Sequence, residues 1–483
     1  MASLKKEFQR LNFRFDETDL NDIECSFEVD DDSHWNTIKV TTLDSRAHLL
    51  HDKRNILVSI VSGTPNSDSY KKTEIVDAWI GGFGMSMGHV TTFRFTLHPK
   101  EVITTHRFGR MKEKQSKIIT HFINKTPLFS PFIVAEPDTN GNLRQKKLRV
   151  YKIKIPNGNS ISSDAFFTYQ SKQGHFESDL YQVLLTKTRT TKNIDKTLHD
   201  DINPQISDIL LLMSFLQDEK VHSVHWSIDY GNVIKNHYKS NHLKPQDINS
   251  SNYHELIDAH YIEEFFTVAL PKFHSSPYKH ELKNCINSLT LRKKSVVELT
   301  FLSYFQGLES LVLAFKRINK LEKILDEDLF SDLRSALEKT IKQTLPTLKK
   351  ERGRIKNKLS ELNRLSLKES MELFLKENGI ESDIIWPIFN IKNKNITGLS
   401  SIRNVLIHGD LTPSNQLINI AVAMEHLRVL LVRCVFCLLG WDITQTKVSN
   451  SHLLKNHNLF KEDVFKKHTS EIDAYFKSKD NPT

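Results

Sequence analysis

Near Tyr253 the hydrophobic pattern of this 483-residue chain changes period, and that change limits the fold more than any composition figure does. Before it, short β-branched runs alternate apolar and polar residues, the two-residue period of a strand with one buried face. Ile56–Val61, Val90–Leu97 and Val150–Ile155 are such runs, and clusters such as Gly63-Thr-Pro-Asn66 and Asp138-Thr-Asn-Gly141 supply turns between them. Gly81–Gly88 is rich in glycine, but a β-like run follows it instead of the helix a phosphate-binding loop needs, so it reads as a turn or bulge. Asn203–Gln217 reads as a helix and His222–Asp229 as a strand. His222 and His225, three apart on that strand, fall on opposite faces and do not share a metal.

After Tyr253 apolar residues recur every three or four positions, as on an amphipathic helix. The longest stripe, over Asn284–Lys323, includes Val297, Phe301, Tyr304, Phe305, Leu308, Leu311 and Leu313. Phe330–Leu345 reads as a further helix and Leu348–Leu375 as a helix pair. Gly398 breaks the chain, and a short helix then runs from about Ser400 to His408, with Gly409 as its C-cap. Thr412 and Pro413 start the last long helix, which stops at Gly440. The fold class is α+β, a β-rich N-terminal region followed by an all-α bundle. Expected boundaries are a β-rich domain over 1–200, a mixed α/β connecting region over 201–280, a helical domain over 281–445 and a mobile polar tail over 446–483.

Arg403-Asn404-Val405-Leu406-Ile407-His408 places a permanent cation and a titratable imidazole on one short helix. The helical rotation between them is about 140°. RNA carries its own nucleophile, the 2′-hydroxyl, so cleaving it requires no metal-bound water. The reaction needs a base near neutrality, which histidine supplies, and a fixed cation for the charge growing on phosphate, which arginine supplies. Asn404 can orient either side chain or donate to a phosphate oxygen. One motif holds one histidine, whereas acid and base are both useful, and a two-fold dimer would supply both. The alternative is a helix end on which His408 caps carbonyls and Arg403 pairs with a carboxylate. Arg46–His51 has the same spacing but lies in a β-rich stretch between turn signals, and is read as a decoy.

The formal net charge of +9 is unevenly placed. Residues 285–483 hold 31 Lys and Arg against 23 Asp and Glu, while residues 1–284 hold 36 against 35. A basic C-terminal half suits a polyanion such as RNA. Residues 341–368 concentrate it, with nine cations against two glutamates, including Lys349, Lys350, Arg352, Arg354, Lys356 and Lys358. These six are candidate RNA-binding residues, the alternative being an exposed helix face. Four cysteines, with Cys434 and Cys437 inside an apolar run, indicate buried thiols in a reducing compartment. The first residues lack the apolar core of a signal peptide. Glu425, His426, Arg428 and Arg433 interrupt the apolar stretch Leu417–Leu439, which argues for a buried helix over a membrane span. A soluble cytoplasmic protein is expected, without membrane association.

Three segments together carry a resemblance: Phe301–Leu311 on an early helix, Ile402–Gly409, and a long apolar helix ending Leu-Leu-Gly440-Trp441. In this order they resemble the HEPN ribonucleases, and among those the ApeA-type bacterial anti-phage proteins. The resemblance spans roughly Tyr253 to Asp442. It makes 281–445 a HEPN-like nuclease domain that dimerises, or forms a higher even-numbered oligomer, with the motifs in a shared cleft. It implies endoribonuclease activity without metal or cofactor, leaving 2′,3′-cyclic phosphate ends. Arg403, Asn404 and His408 carry over as catalytic residues, and Glu309 falls where the family often has a glutamate. The resemblance also implies a toxic activity released by infection, with tRNA or other host RNA as target. The N-terminal region would sense infection or control the nuclease, with a phage-encoded trigger protein as a partner. Two alternatives stay open: a non-catalytic HEPN dimerisation or nucleotide-binding module, and an adaptor whose N-terminal β domain binds a partner.

Overall fold

A computed structural model describes residues 7–480 apart from 30–36, 63–69, 110–116, 125, 127, 130–132, 138–142, 148–150, 155–159, 173–174, 189–201, 240–254, 291–295, 392–395 and 409–413. The turn clusters at 63–66 and 138–141, and Gly409, Thr412 and Pro413, therefore lie outside the described residues. The chain forms two compact units, Met1–Leu210 with Val221–Tyr253, and Leu211–Lys220 with His254–Thr483.

The first unit is built on one antiparallel sheet. Strands β1 (Glu7–Phe15), β2 (Thr18–Val29), β3 (Ile38–Thr42), β4 (Ile56–Ser62), β5 (Tyr70–Ser86) and β6 (Thr92–His98) pair in the order β6-β5-β4-β1-β2-β3, and β3 returns to β6. The ring is closed, which leaves no free edge to template aggregation. Alternate residues fill its interior, with Leu11, Phe13 and Phe15 of β1 packed among Ile23, Val40, Val58 and Phe95. The glycine run expected as a turn or bulge is a bulge: the β5–β6 register slips between Gly81 and Gly84. The first half of β5 also pairs with β7 (Glu101–Arg107), which continues the sheet. Beyond it lie β15 (Val233–Lys239), β14 (Ser223–Asp229), β8 (Lys117–Ile123), β13 (His175–Thr188), β12 (Ser160–Lys172) and β11 (Lys152–Lys154). Among the described residues, strands β9 (Ile133–Pro137) and β10 (Leu143–Lys147) pair only with each other. Residues 201–280 are shared between the units. Strands β14 and β15 lie inside the sheet, helix α1 (Asn203–Gln217) crosses the boundary, and the segment from Ile262 is helical.

The second unit contains α2 (Ile262–Ser275), α3 (Lys279–Thr290), α4 (Val297–Ile318), α5 (Glu327–Thr344), α6 (Lys349–Lys356), α7 (Leu367–Glu377), α8 (Leu399–Ile407), α9 (Leu417–Leu438), α10 (Asn450–Asn456) and α11 (Glu462–Asp480). The fold class is thus α+β in the order expected. Helix α9 is apolar around most of its circumference and is buried accordingly. Helix α4 packs along it, with Phe301, Phe305, Leu308, Leu311 and Phe315 turned inward. At Gly307 a side chain would press on Leu431 at 3.2 Å and on the Cys285 sulfur at 3.4 Å, so glycine permits the close approach of α3, α4 and α9. Leu313, expected in the buried stripe, is 53 % exposed, because the stripe is narrower than the run of apolar residues. Cys285 and Cys434 are buried and Cys437 is half-buried. Burial pushes the thiols up, that of Cys285 to about 12 and that of Cys437 to about 11, so they stay protonated and inert. Among the described residues no helix is long and apolar enough to cross a membrane.

The polar interruptions of α9 each have a partner. Arg433, fully buried, donates to the carbonyls of Val448 and Glu381 and to Asn450 Oδ1, at 2.7–2.9 Å. Arg428 bonds Glu425 at 2.7 Å and Asp218 at 3.2 Å. Burial disfavours its charge, and Asp218 and Glu425 more than reverse that, so its pKa lies above the ordinary value. The expected mobile tail is corrected. Residues 450–456 and 462–480 are helical, because Phe465, Thr469, Ile472 and Phe476 recur at helical spacing and give α11 a face to pack. Leu453, Phe460 and Ile472 are buried, and His468 Nδ1 meets Asn419 Oδ1 of α9 at 2.6 Å.

His426 sits inside this packing. Its Nδ1 accepts from the Trp386 N–H and its Nε2 donates to the Leu459 carbonyl, both at 3.2 Å. Burial pushes its pKa down from 6.5 to about 4. Between those values the unfolded chain binds a proton that the folded chain refuses. Stability is therefore fully present above about pH 6.5 and falls as pH drops toward about 4, by on the order of 3 kcal/mol at the limit. Thermal unfolding followed from about pH 7 to about pH 5 should show the midpoint falling, and His426→Asn, which keeps the acceptor, should flatten that fall.

Candidate active site

Helix α8 is set in place from both ends of its sequence neighbourhood. Gly398, its N-cap, lies against the Ile388 and Phe389 backbone so closely that any β-carbon would overlap it. Asn390 Oδ1 accepts from the Gly398 N–H at 2.7 Å and from the Ser401 hydroxyl at 2.8 Å. The preceding Thr397 receives the Trp386 indole N–H on its carbonyl at 2.8 Å, and both its N–H and its hydroxyl donate to Asp473 of α11. The apolar residues within the motif serve packing: Val405 and Leu406 share a small cavity with Ile420 of α9 and Ile472 of α11.

Arg403 leaves α8 toward α4. Its Nη2 donates to Glu309 Oε2 at 3.2 Å, its Nη1 donates to Asn404 Oδ1 at 3.1 Å, and its guanidinium carbon lies 5.9 Å from the centre of the Phe305 ring. Phe305 and Glu309 are four residues apart on one helix, so the ring and the carboxylate face the cation side by side. Arg403 does pair with a carboxylate, as the helix-end alternative expected, and that carboxylate is Glu309. The ion pair is partly open, with 30 % of the Arg403 side chain and 20 % of the Glu309 side chain exposed. The guanidinium thus keeps unused N–H donors for an incoming phosphate.

His408 is the C-cap of α8 and is exposed. Its backbone N–H donates to the Asn404 carbonyl at 3.1 Å. Among the described residues no hydrogen bond joins its imidazole to Arg403, Asn404 or Glu309. The structure therefore brings Arg403, Asn404 and Glu309 together and leaves His408 facing solvent at the helix end. Phe305 was not singled out from sequence. Its signal was the four-residue spacing to Glu309.

Lys349, Lys350, Arg354 and Lys358 are exposed, and Arg352 is half-buried. Lys356 is engaged at 2.9 Å with Glu338 of α5, whose carboxyl is held below its ordinary range by Lys356 and Arg334. None of the six makes a hydrogen bond or ion pair with Arg403, Asn404, Glu309 or His408. The decoy Arg46 is bound to Asp44 at 2.6 Å, and His51 lies edge-on to Phe83.

A helical unit with an arginine–glutamate pair buttressed by an aromatic ring, about one and a half turns before an exposed histidine, defines the class of site. Residues 302–445 match the family model described as Apea-like HEPN, and this part of the chain is a HEPN domain of the Apea-like type. The match begins inside α4 and includes Glu309, Arg403, Asn404 and His408. At the level of the family, such a domain indicates a nuclease of anti-phage defence. HEPN domains generally act as ribonucleases, and they commonly dimerise and bind RNA. Neither a curated protein nor a solved structure matches the chain.

Proposed function

We propose that this protein is a metal-independent endoribonuclease that acts in anti-phage defence by abortive infection, cutting tRNA or other host RNA once its N-terminal unit has sensed a phage-encoded trigger. The observation that carries the reading is the Arg403 guanidinium, fixed by Glu309, Asn404 and Phe305 five residues before an exposed His408, inside an Apea-like HEPN segment.

In this mechanism His408 takes the proton from the 2′-hydroxyl as its oxygen attacks the adjacent phosphorus. The O2′–P bond forms, the P–O5′ bond breaks, and the products are a 2′,3′-cyclic phosphate and a 5′-hydroxyl. Arg403 neutralises the charge that builds on the non-bridging oxygens, where a pre-oriented cation acts most strongly. The O5′ leaving group needs a proton, and a second copy of the motif across a two-fold dimer supplies the acid. Glu309 and Asn404 hold the guanidinium in orientation, and the exposed cations of α6 grip the RNA backbone.

The test is incubation of the full chain with total tRNA in EDTA, before and during phage infection, with the new RNA ends identified. Cyclic-phosphate ends in EDTA are expected. Ends bearing a free 3′-hydroxyl, or no cleavage in either condition, would overturn the reading. Glu309→Gln removes the charge that orients Arg403 while keeping a hydrogen bond. It should lower kcat by roughly tenfold with KM little changed, and Glu309→Asp should recover part of that loss.

A further inference from the structure

The second unit has a groove that this mechanism leaves unused. It runs between α4 and α5, is walled by residues 360–364, and encloses about 920 Å³, a volume in the range of ligand sites. Glu309, the partner of Arg403, is among its lining residues, so the groove opens beside the candidate catalytic arginine. Lys316, Arg317, Lys323, Arg334 and Arg364 line it against three carboxylates, Glu309, Glu322 and Glu327.

Three of those cations are arginines whose side chains stay largely exposed. Arg317 pairs with Glu281, Arg334 with Glu338 and Arg364 with Glu361, yet their side chains remain 61 %, 47 % and 65 % exposed. The Arg334–Glu338 and Arg364–Glu361 pairs are open to solvent on both sides and contribute little, so a phosphate can take either guanidinium from its carboxylate at small cost; Glu281 is nearly buried, so Arg317 keeps that partner and meets a phosphate with its remaining N–H donors. Leu313, also in the lining, presents apolar surface there. The wall is fixed before any ligand arrives. Asn363 is buried, accepts the Leu325 N–H at 2.7 Å and donates to the Leu325 carbonyl at 2.9 Å, while Lys323 and Arg364 form an antiparallel bridge.

We infer that this groove holds the single-stranded RNA segment next to the cleaved bond, with phosphates on Arg317, Arg334 and Arg364 and a base against Leu313. Arginine suits single-stranded RNA because its planar head both pairs with phosphate and stacks on bases. The inference rests on the ribonuclease reading above and adds the path by which substrate reaches Arg403.

The experiment measures binding of a short fluorescent single-stranded RNA to the full chain carrying His408→Ala, in which cleavage is slowed enough for binding to be read. Arg334→Gln and Arg364→Gln are then added together. The expected result is roughly tenfold weaker binding and a slope of log affinity against log salt lowered by about 1.4, at about 0.7 for each phosphate no longer neutralised. An unchanged thermal midpoint is expected alongside, since both side chains are exposed. Unaltered affinity and slope in this pair, with the weakening appearing instead in Lys349→Gln/Lys350→Gln, would move the RNA to α6 and overturn the groove assignment alone. Absence of RNA binding by the His408→Ala protein at low salt would overturn the ribonuclease reading and the groove with it.

Discussion

His408→Ala is expected to slow RNA cleavage by about 10²–10⁴-fold, the usual contribution of a general base. The folded protein should be unaffected, because the side chain is exposed at the end of α8 and, among the described residues, makes no hydrogen bond. Arg403→Ala should cost about 10²–10³-fold through lost charge stabilisation. It also leaves Glu309 partly buried without its cation, so a small fall in thermal midpoint is expected for Arg403→Ala and none for His408→Ala. Arg403→Lys keeps the charge but not the planar fork that meets Glu309 and Asn404 at once, so most of the loss should persist. Initial rates on tRNA in EDTA, measured with the melting curve of each variant, decide the matter. Wild-type rates in the His408→Ala protein would remove His408 from the mechanism.

The second large effect concerns stability. Arg428→Met should destabilise the helical unit by about 3–5 kcal/mol, the range for breaking one side of a buried ion pair. The reason is less the lost attraction than the carboxylate left behind: Asp218 has only 7 % of its side chain exposed. Adding Asp218→Asn to Arg428→Met removes that stranded charge and should recover a substantial part of the loss, whereas Asp218→Asn alone should destabilise. Denaturant unfolding of the three proteins gives the coupling directly. Additive effects would mean that the two side chains do not act as a pair.

Much of this fold was legible because its signals are local. The change of period near Tyr253, the Gly440 stop and the short helix ending at His408 all depend on residues close together in sequence. The closed ring of β1 to β6 was not, since strand pairing is decided by interactions between distant segments, and a run such as Val90–Leu97 looks the same in a barrel as in an open sheet. The same limit applied to the candidate site. Arg403 and His408 stand out by type and spacing, but the direction Arg403 takes depends on Glu309, 94 residues away. Residues 446–483 were misjudged for a different reason. Charge dominates their composition, and four well-spaced residues of α11 suffice to dock a helix without raising its mean hydropathy much.

That docking bears on where the HEPN domain begins and ends as a working part. The family match stops at residue 445, yet the turn leading into α8 is held by Asp473, and buried Asn419 by His468. Arg428 likewise depends on Asp218, well before residue 302. The recurring sequence pattern is therefore smaller than the piece of protein that can stand alone. A gene fragment cut to the pattern would carry every motif residue and still lack the supports that aim them. Transplanting this module onto another protein would require residues from both sides of the recognisable segment.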